Sequence, residues 1–326
     1  MRVFMCVLAA NAGSFAFADD PPPTTPNFSY KAEPSNGNEK YFLVAGTNTE
    51  ANFAQEIVEL KEYLLAHGAT EDEIACYYLR PNKETSNYLE DKEQWDSLAD
   101  DLSECYPSHV GRIRADISKR AQNSKTDKLF IYFSSHGSKA FGPMAASPRM
   151  KLNPNAQFMF NKYKAFDAAL ENEGFIAIDG DAEGNEVSIK ELTELKQRVP
   201  ETKAEDYYLT PSRLNAWLNE FSVEAKTQVV VQACYSGQFL NEGIKSRATT
   251  QMLTAASSKR PSFGCSPGLE HTFFGESYLK TLNEHATSVF DLDWARFTKD
   301  VKDKVTQKES ELGDVKPSEP QSWPEV

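Results

Sequence analysis

The sequence predicts an α/β fold with a mostly parallel central sheet covered by helices on both faces. Short segments that are apolar throughout alternate along the chain with segments whose apolar residues recur every three or four positions. Several apolar segments, such as 227–234, lack the polar alternation of a half-exposed strand. Strands buried on both faces are typical of parallel sheets with helices packed on either side.

The N-terminal half of the predicted domain contains three strands and three helices. The run at 41–45 is apolar and closes on Gly46, which is typical of a buried strand. Apolar residues with helical spacing follow it, and Gly68 lies where that helix should end. The predicted strands lie at 41–45, 72–79 and 128–135, and the predicted helices at 52–67, 95–105 and 109–121.

The same alternation resumes in the C-terminal half. Pro211 is suited to the first turn of a helix, because proline lacks the N–H that would be unpaired there. The predicted strands are 227–234 and 251–257, and the predicted helices are 211–221, 273–282 and 291–301. We expect one α/β domain over residues 40–305, interrupted by a polar, proline-containing insertion at about 138–172 and followed by a polar tail at 306–326.

The N-terminus resembles a secretory signal peptide. Arg2 precedes an apolar run, and Ala16-Phe17-Ala18 provides the small residues of a cleavage site. We predict a signal peptide over residues 1–18, a flexible Pro-, Ser- and Thr-rich leader over 19–39, and a secreted or periplasmic product. No later segment is long and apolar enough to span a bilayer, so no membrane contact is expected after cleavage.

Composition narrows the classes of partner. The formal net charge is −13, which argues against general affinity for nucleic acid or for anionic membrane surfaces. The chain lacks the CxxC and HExxH patterns that indicate zinc. No cofactor is expected from these features.

Two of the predicted strands end on residues that carry chemistry. His136 and Gly137 follow the strand in "KLFIYFSSHGS", and Cys234 ends the strand in "TQVVVQACYSG". Ligand sites of open parallel sheets lie beyond the carboxyl ends of the strands. A histidine beside a cysteine can deprotonate the thiol, and the backbone N–H groups of Gly137 and Cys234 could stabilise an oxyanion. The alternative is a buried structural cysteine and an unrelated polar histidine.

These segments resemble the signature segments of the legumain-like cysteine peptidases, peptidase family C13. In that family one strand ends in Ser/Thr-x-His-Gly and the following core strand ends in Glu-Ala-Cys-x-Ser-Gly, which here reads Gln232-Ala233-Cys234-Tyr235-Ser236-Gly237. A third segment, "MLTAASSKRPSFGCSPGLEHTFFGESYL", is similar to the family's next strand, substrate-binding turn and helix. Caspases share the segment order but have a shorter motif about 50 residues after the histidine.

The resemblance implies a three-layer caspase-like fold and a cysteine endopeptidase acting on peptides or proteins. It assigns Cys234 as the nucleophile, His136 as the acid and base, and the N–H groups of Gly137 and Cys234 as oxyanion donors. Two alternatives stay open. The same acyl-enzyme could be passed to an amine, as in a ligase or transamidase, or the chain could be an inactive relative that binds peptides.

The expected substrate pocket departs from the family pattern. The family uses an Arg after the first strand, the Glu before Ala-Cys, and an acid further along. Here the first region has no Arg, Gln232 replaces the Glu, and Glu276 supplies the remaining acid. Glu276 is interpreted either as part of a pocket for Lys or Arg, or as a solvated helix residue. Ser262 and Phe263 match the turn that lines the family's cleft and are predicted substrate contacts.

The acidic stretch at 179–192 allows two interpretations. Asp179, Asp181, Glu183 and Glu191 resemble the ligands of a calcium loop, but the register contains one residue too many. The favoured interpretation is a hairpin of "GFIAI" and "EVSI" around an acidic turn. Calcium is kept as the alternative.

Overall fold

A seven-stranded sheet forms the centre of this computed structural model, which describes residues 38–81, 89, 91–123, 126–140, 169–180, 206–266 and 268–325. The strands among these residues are β1 (Glu39–Ala45), β2 (Ile74–Tyr78), β3 (Tyr106–Pro107), β4 (Lys128–Ser134), β5 (Gly137–Ser138), β6 (Phe175–Ala177), β7 (Tyr208–Leu209), β8 (Lys226–Gln232), β9 (Thr250–Thr254) and β10 (Gln321–Trp323). The order in the large sheet is β10-β9-β8-β4-β1-β2-β3. Every neighbouring pair is parallel except β10 with β9.

Helices cover both faces of this sheet. Those among the described residues are α1 (Ala51–Ala66), α2 (Lys92–Leu98), α3 (Val110–Asn123), α4 (Ala169–Asn172), α5 (Pro211–Leu218), α6 (Glu242–Lys245), α7 (Phe273–His285) and α8 (Trp294–Ser310). The core on one face includes residues of α1, α2, α7 and α8, and the core on the other includes residues of α3, α5 and α6. The predicted α/β class, with a mostly parallel central sheet flanked by helices, is therefore confirmed.

Strands β4 and β8 lie side by side in the middle of the sheet. Six of the seven residues in each strand are buried. The apolar runs at their centres are explained by this position, because helices cover both faces of the sheet and exclude water from both.

A second, three-stranded sheet follows directly from the end of β4. It has the order β5-β6-β7, and both pairings are antiparallel. Gly137 pairs with Ile176, so the chain leaving His136 is held by β6. Ser138, the first residue of the insertion expected at about 138–172, thus belongs to a strand beside the end of β4.

The C-terminal segment corrects the expected domain boundary. Residues 306–326 were expected to form a polar tail, but α8 extends to Ser310 and β10 pairs with β9 at the edge of the sheet. Trp294 Nε1 donates to the carbonyl of Trp323 at 3.1 Å, which ties the new strand to α8. The strand escaped prediction because it is three residues long and lies between prolines, a composition typical of loops.

The largest differences between predicted and observed helix bounds concern two helices. The helix expected at 95–105 is α2 and ends at Leu98, after which the chain turns into β3. The helix expected at 291–301 begins at Trp294, because Asp293 caps it by accepting from Arg296 N at 3.2 Å. Both corrections concern ends, where capping and turns outweigh apolar periodicity.

A disulfide joins Cys76 of β2 to Cys105, the residue before β3. It links two segments that are 29 residues apart in sequence. The pair covalently closes the loop that contains α2. Cys265 is also disulfide-bonded, whereas Cys234 is not part of a disulfide.

Several predictions fall outside the described residues. These are the signal peptide at 1–18, the leader at 19–39 apart from its last two residues, most of the insertion at 138–172, the "EVSI" arm of the predicted hairpin, and Asp181, Glu183 and Glu191. In the part of the chain that is described, no helix combines the length and apolarity needed to cross a bilayer.

Candidate active site

His136 and Cys234 follow the ends of two hydrogen-bonded neighbouring strands. Ser134, the last residue of β4, is the register partner of Gln232, the last residue of β8. Ser135 N donates to the carbonyl of Gln232 at 3.0 Å, so the pairing continues past the strand ends. His136 and Cys234 each lie two residues beyond the matched pair. The two parallel strands therefore deliver the imidazole and the thiol to one edge of the sheet.

The two side chains also lie on the same face of the sheet. Cys234 belongs to the core cluster that contains Tyr132 and the apolar face of α1. The His136 ring meets Phe53 of α1 edge-on, with ring centroids 5.2 Å apart. Both groups therefore face α1, as expected from the two-residue side-chain period of extended chain.

Gly137 allows the two strand ends to approach closely. A Cβ atom at this position would overlap the carbonyl oxygen of Cys234 and would lie 3.1 Å from the Cβ of Ala233. A side chain here would have to displace backbone, so glycine is required by the contact between the two segments.

The chain turns sharply after Cys234. Tyr235 has φ 60°, a left-handed conformation that non-glycine residues seldom adopt. Tyr235 N donates to the carbonyl of Arg260 at 2.9 Å, and Gly237 N donates to that of Ala256 at 2.8 Å. These bonds hold the turn in place and fix the position of the thiol at the strand end.

Burial and one loop define the environment of the thiol. Cys234 is 1% exposed, and Ser262 N donates to its Sγ at 3.4 Å. Burial raises the pKa of the Cys234 thiol to about 11, although the hydrogen bonds from Ser262 oppose that shift. The group is therefore a neutral thiol near pH 7, and a nucleophilic thiolate would require a base.

The imidazole of His136 is held by Glu50, a residue between β1 and α1. Glu50 Oε2 lies 2.8 Å from His136 Nε2, and both side chains are mostly buried. Thr49 Oγ1 lies 3.2 Å from the same nitrogen and also bonds the Glu50 carboxylate. Burial would lower the pKa of His136, but the carboxylate of Glu50 and the charge of Asp179 outweigh it and raise that pKa.

The predicted substrate contacts lie in different environments. Ser262 contacts the thiol and is 2% exposed, and Phe263, next to it, is also buried. Gln232 is fully buried, and its Oε1 lies 3.4 Å from Ser134 Oγ. Glu276 forms an ion pair with Lys308 at 2.6 Å, and its side chain is 45% exposed. That contact supports the interpretation of Glu276 as a surface helix residue.

Asp179 is the described member of the candidate calcium set. Its N–H donates to the carbonyl of Gly46 at 2.9 Å, beside the end of β1, and its charge acts on His136. Among the residues that the structure describes, no group of three or more His, Cys, Asp or Glu is arranged to hold a metal ion. The stretch "GFIAI" does form a strand, β6, which pairs with β5 and β7.

The sequence analysis missed two acidic residues at this site. Glu50 contacts His136, and Glu56, one turn into α1, accepts hydrogen bonds from Tyr132 and Ser134 of β4. Both follow the first strand, in the region where the legumain-like family has an Arg. A carboxylate near the start of a helix is a weak sequence pattern, so these contacts emerge only in the folded chain.

Part of the chain matches a known protein family. Residues 198–323 match the peptidase C13 family, a range that includes Cys234 and lies after His136. No curated protein sequence matches the chain. Among solved structures, caspase-1 from Spodoptera frugiperda is 11% identical, with 99% of this chain and 93% of that chain covered and a TM-score of 0.44. Protein GSU0716 from Geobacter sulfurreducens is 9% identical, with 87% and 92% covered and a TM-score of 0.45.

Proposed function

We propose that this protein is a cysteine endopeptidase. The premise is that residues 198–323 match the peptidase C13 family, which supports a function of the cysteine peptidase type. Cys234 would be its nucleophile and His136 its acid and base. The observation that carries the proposal is the register of β4 and β8, which brings both residues to one edge and one face of the sheet. Peptides or proteins are the substrates.

The proposed reaction begins at the thiol of Cys234. His136 takes the thiol proton while Sγ attacks the carbonyl carbon of the scissile bond, forming a tetrahedral oxyanion. The backbone N–H groups of Gly137 and Cys234 are the proposed donors to that oxyanion. When the C–N bond breaks, the leaving amine takes the proton from His136, and Cys234 is left as a thioester. Water then attacks the thioester, releasing the acid and restoring the thiol.

Labelling with a peptide electrophile tests this assignment. We expect a biotinylated peptide acyloxymethyl ketone, chosen from a library varied at the residue before the reactive group, to modify one cysteine of the full chain. Cys234→Ala should abolish labelling, and His136→Ala should slow it by about 100-fold or more, because the thiol then lacks its base. Mass spectrometry of the labelled peptide measures both effects.

His109→Ala is the matched control, since His109 lies before α3 and contacts the ring of Tyr207 rather than the thiol. It should label at the unsubstituted rate. Equal labelling of the Cys234→Ala variant would rule out the proposed nucleophile. Products of a cleaved peptide, analysed with and without an added amine, distinguish hydrolysis from transfer to the amine.

We further propose that the protein works outside the cytosol. The disulfide between Cys76 and Cys105 supports this, because such bonds persist in oxidising compartments. The signal-peptide pattern predicts that the exported protein begins at Asp19. N-terminal sequencing of protein purified from the source cells checks this, and a retained Met1 would contradict it.

A further inference from the structure

Glu50 occupies a helix-capping position without capping the helix. It is the N-cap residue of α1, yet its side chain makes no capping hydrogen bond. Asp91 replaces it, because Asp91 Oδ2 accepts from Ala51 N at 2.9 Å. Side-chain oxygens at N-caps normally bind the exposed N–H groups of the first turn. The carboxylate of Glu50 is turned instead toward His136.

The contact between Glu50 and His136 defines the roles of the two ring nitrogens. A carboxylate can only accept hydrogen bonds, so the nitrogen 2.8 Å from Glu50 Oε2, Nε2, carries a hydrogen. Nδ1 is buried, and among the described residues it has no hydrogen-bond partner. The ring therefore presents Nδ1, with its lone pair or its proton, to the remaining side of the site.

From this geometry we infer that Glu50 is a positioning residue for the proposed peptidase, holding His136 through Nε2 so that Nδ1 exchanges the proton with Cys234 and the leaving amine. The inference rests on the proposed function. Glu50 also stabilises the imidazolium that forms when His136 takes the thiol proton, because opposite charges are adjacent in a buried setting. Buried carboxylates that orient a histidine are a recurring means of setting its tautomer.

The charged groups near His136 come from separate elements of the fold. Glu50 faces it from the loop before α1, and the charge of Asp179 acts on it from the segment after β6. Lys139 follows β5, but its ammonium lies over the ring of Tyr235 at 4.6 Å. Of these groups, Glu50 makes a hydrogen bond to the imidazole, so its removal should have the largest effect on the ring.

The sign of the pH effect follows from the charge of Glu50. The carboxylate favours protonated His136, which is unable to accept the thiol proton, so the reaction rate should fall as pH drops through the pKa of His136. Removing the charge lowers that pKa. In the Glu50→Gln variant, the fall in rate at low pH (the acid limb of the pH–rate curve) should therefore occur about one pH unit lower. An adjacent opposite charge shifts a pKa by roughly that much or more.

The experiment measures the labelling rate of the full chain between pH 5 and 9 with the peptide acyloxymethyl ketone. We expect Glu50→Gln to slow labelling at pH 8 by about 10- to 100-fold and to move the acid limb downward. Thr49→Val is the matched control, since it removes a hydroxyl 3.2 Å from the same nitrogen but no charge. Its acid limb should not move.

NMR titration of the histidine ring protons provides a measurement that does not depend on labelling. The His136 resonance is assigned by its loss in His136→Gln, and its pKa should fall in Glu50→Gln. Glu50→Asp, which keeps the charge with a shorter reach, should retain most of the upward shift and part of the rate. An unchanged acid limb and an unchanged His136 titration in a folded Glu50→Gln variant would overturn the inference, while loss of labelling in Cys234→Ala would still uphold the peptidase.

Discussion

Gly137→Ala should reduce the labelling rate by at least about 100-fold, because displacing catalytic groups by about 1 Å has effects of that size. The added Cβ would overlap the carbonyl oxygen of Cys234 and press on the Cβ of Ala233. Both obstacles belong to the segment that carries the nucleophile. To make room for the added Cβ, the ends of β4 and β8 must separate. This separation moves His136 away from Cys234 and turns both proposed oxyanion donors out of position.

Gly111→Ala is the matched control for this variant. Gly111 lies in the first turn of α3, and its added Cβ would meet the ring of His109, the movable end of a side chain. Labelling should be unchanged, and stability should be equal or higher since alanine favours helix. For Gly137→Ala we expect a loss of about 1–3 kcal/mol in the free energy of unfolding. A folded variant that labels at the normal rate would show that the strand ends are not packed as described.

Glu56→Ala should lower the free energy of unfolding by about 4 kcal/mol, because it leaves several buried donors without an acceptor. The carboxylate accepts from Tyr132 Oη at 2.9 Å and from Ser134 Oγ at 2.6 Å. It also accepts from Thr272 N at 2.9 Å and Thr272 Oγ1 at 2.7 Å. Glu56 thus joins α1 to β4 and to the start of α7 in a place that water does not reach.

Urea unfolding of the full chain measures this effect. Burial raises the pKa of Glu56, and the hydrogen bonds from Ser134 and Thr272 oppose the shift, so the side chain is held by its donors at a substantial desolvation cost. Glu59→Ala is the matched control. Glu59 lies one turn further along α1, is partly exposed and pairs with His271 at 2.8 Å. Its loss should cost under about 1 kcal/mol, and a similarly small loss for Glu56→Ala would contradict the described network.

Glu56 also links stability to the candidate site. It bonds Ser134, whose hydroxyl contacts Gln232, and these two residues form the last register pair before His136 and Cys234. A buried polar layer therefore lies directly beneath the proposed dyad. Such layers favour one arrangement over others, because an alternative packing would leave polar groups unpaired. We infer that the layer keeps the two strand ends in register.

Apolar patterning alone predicted the main strands and their parallel arrangement. Strands buried on both faces, such as β4 and β8, carry apolar residues on both faces over several consecutive positions, and this pattern is visible in a single segment. The rule that sites form beyond the carboxyl ends of parallel strands then singled out His136 and Cys234 from the sequence alone. The motif around Cys234 extended this prediction to a family, which residues 198–323 match.

The tertiary structure decided which charged groups meet. Glu50 bonds a histidine that follows a different strand, Glu276 pairs with Lys308 of α8, and β10 joins the sheet from a segment with the composition of a loop. Local sequence patterns indicate which faces of a strand or helix are buried, because burial affects every residue of the element. They do not record which distant side chain lies opposite, since a single contact depends on the relative placement of elements that the chain brings together only on folding.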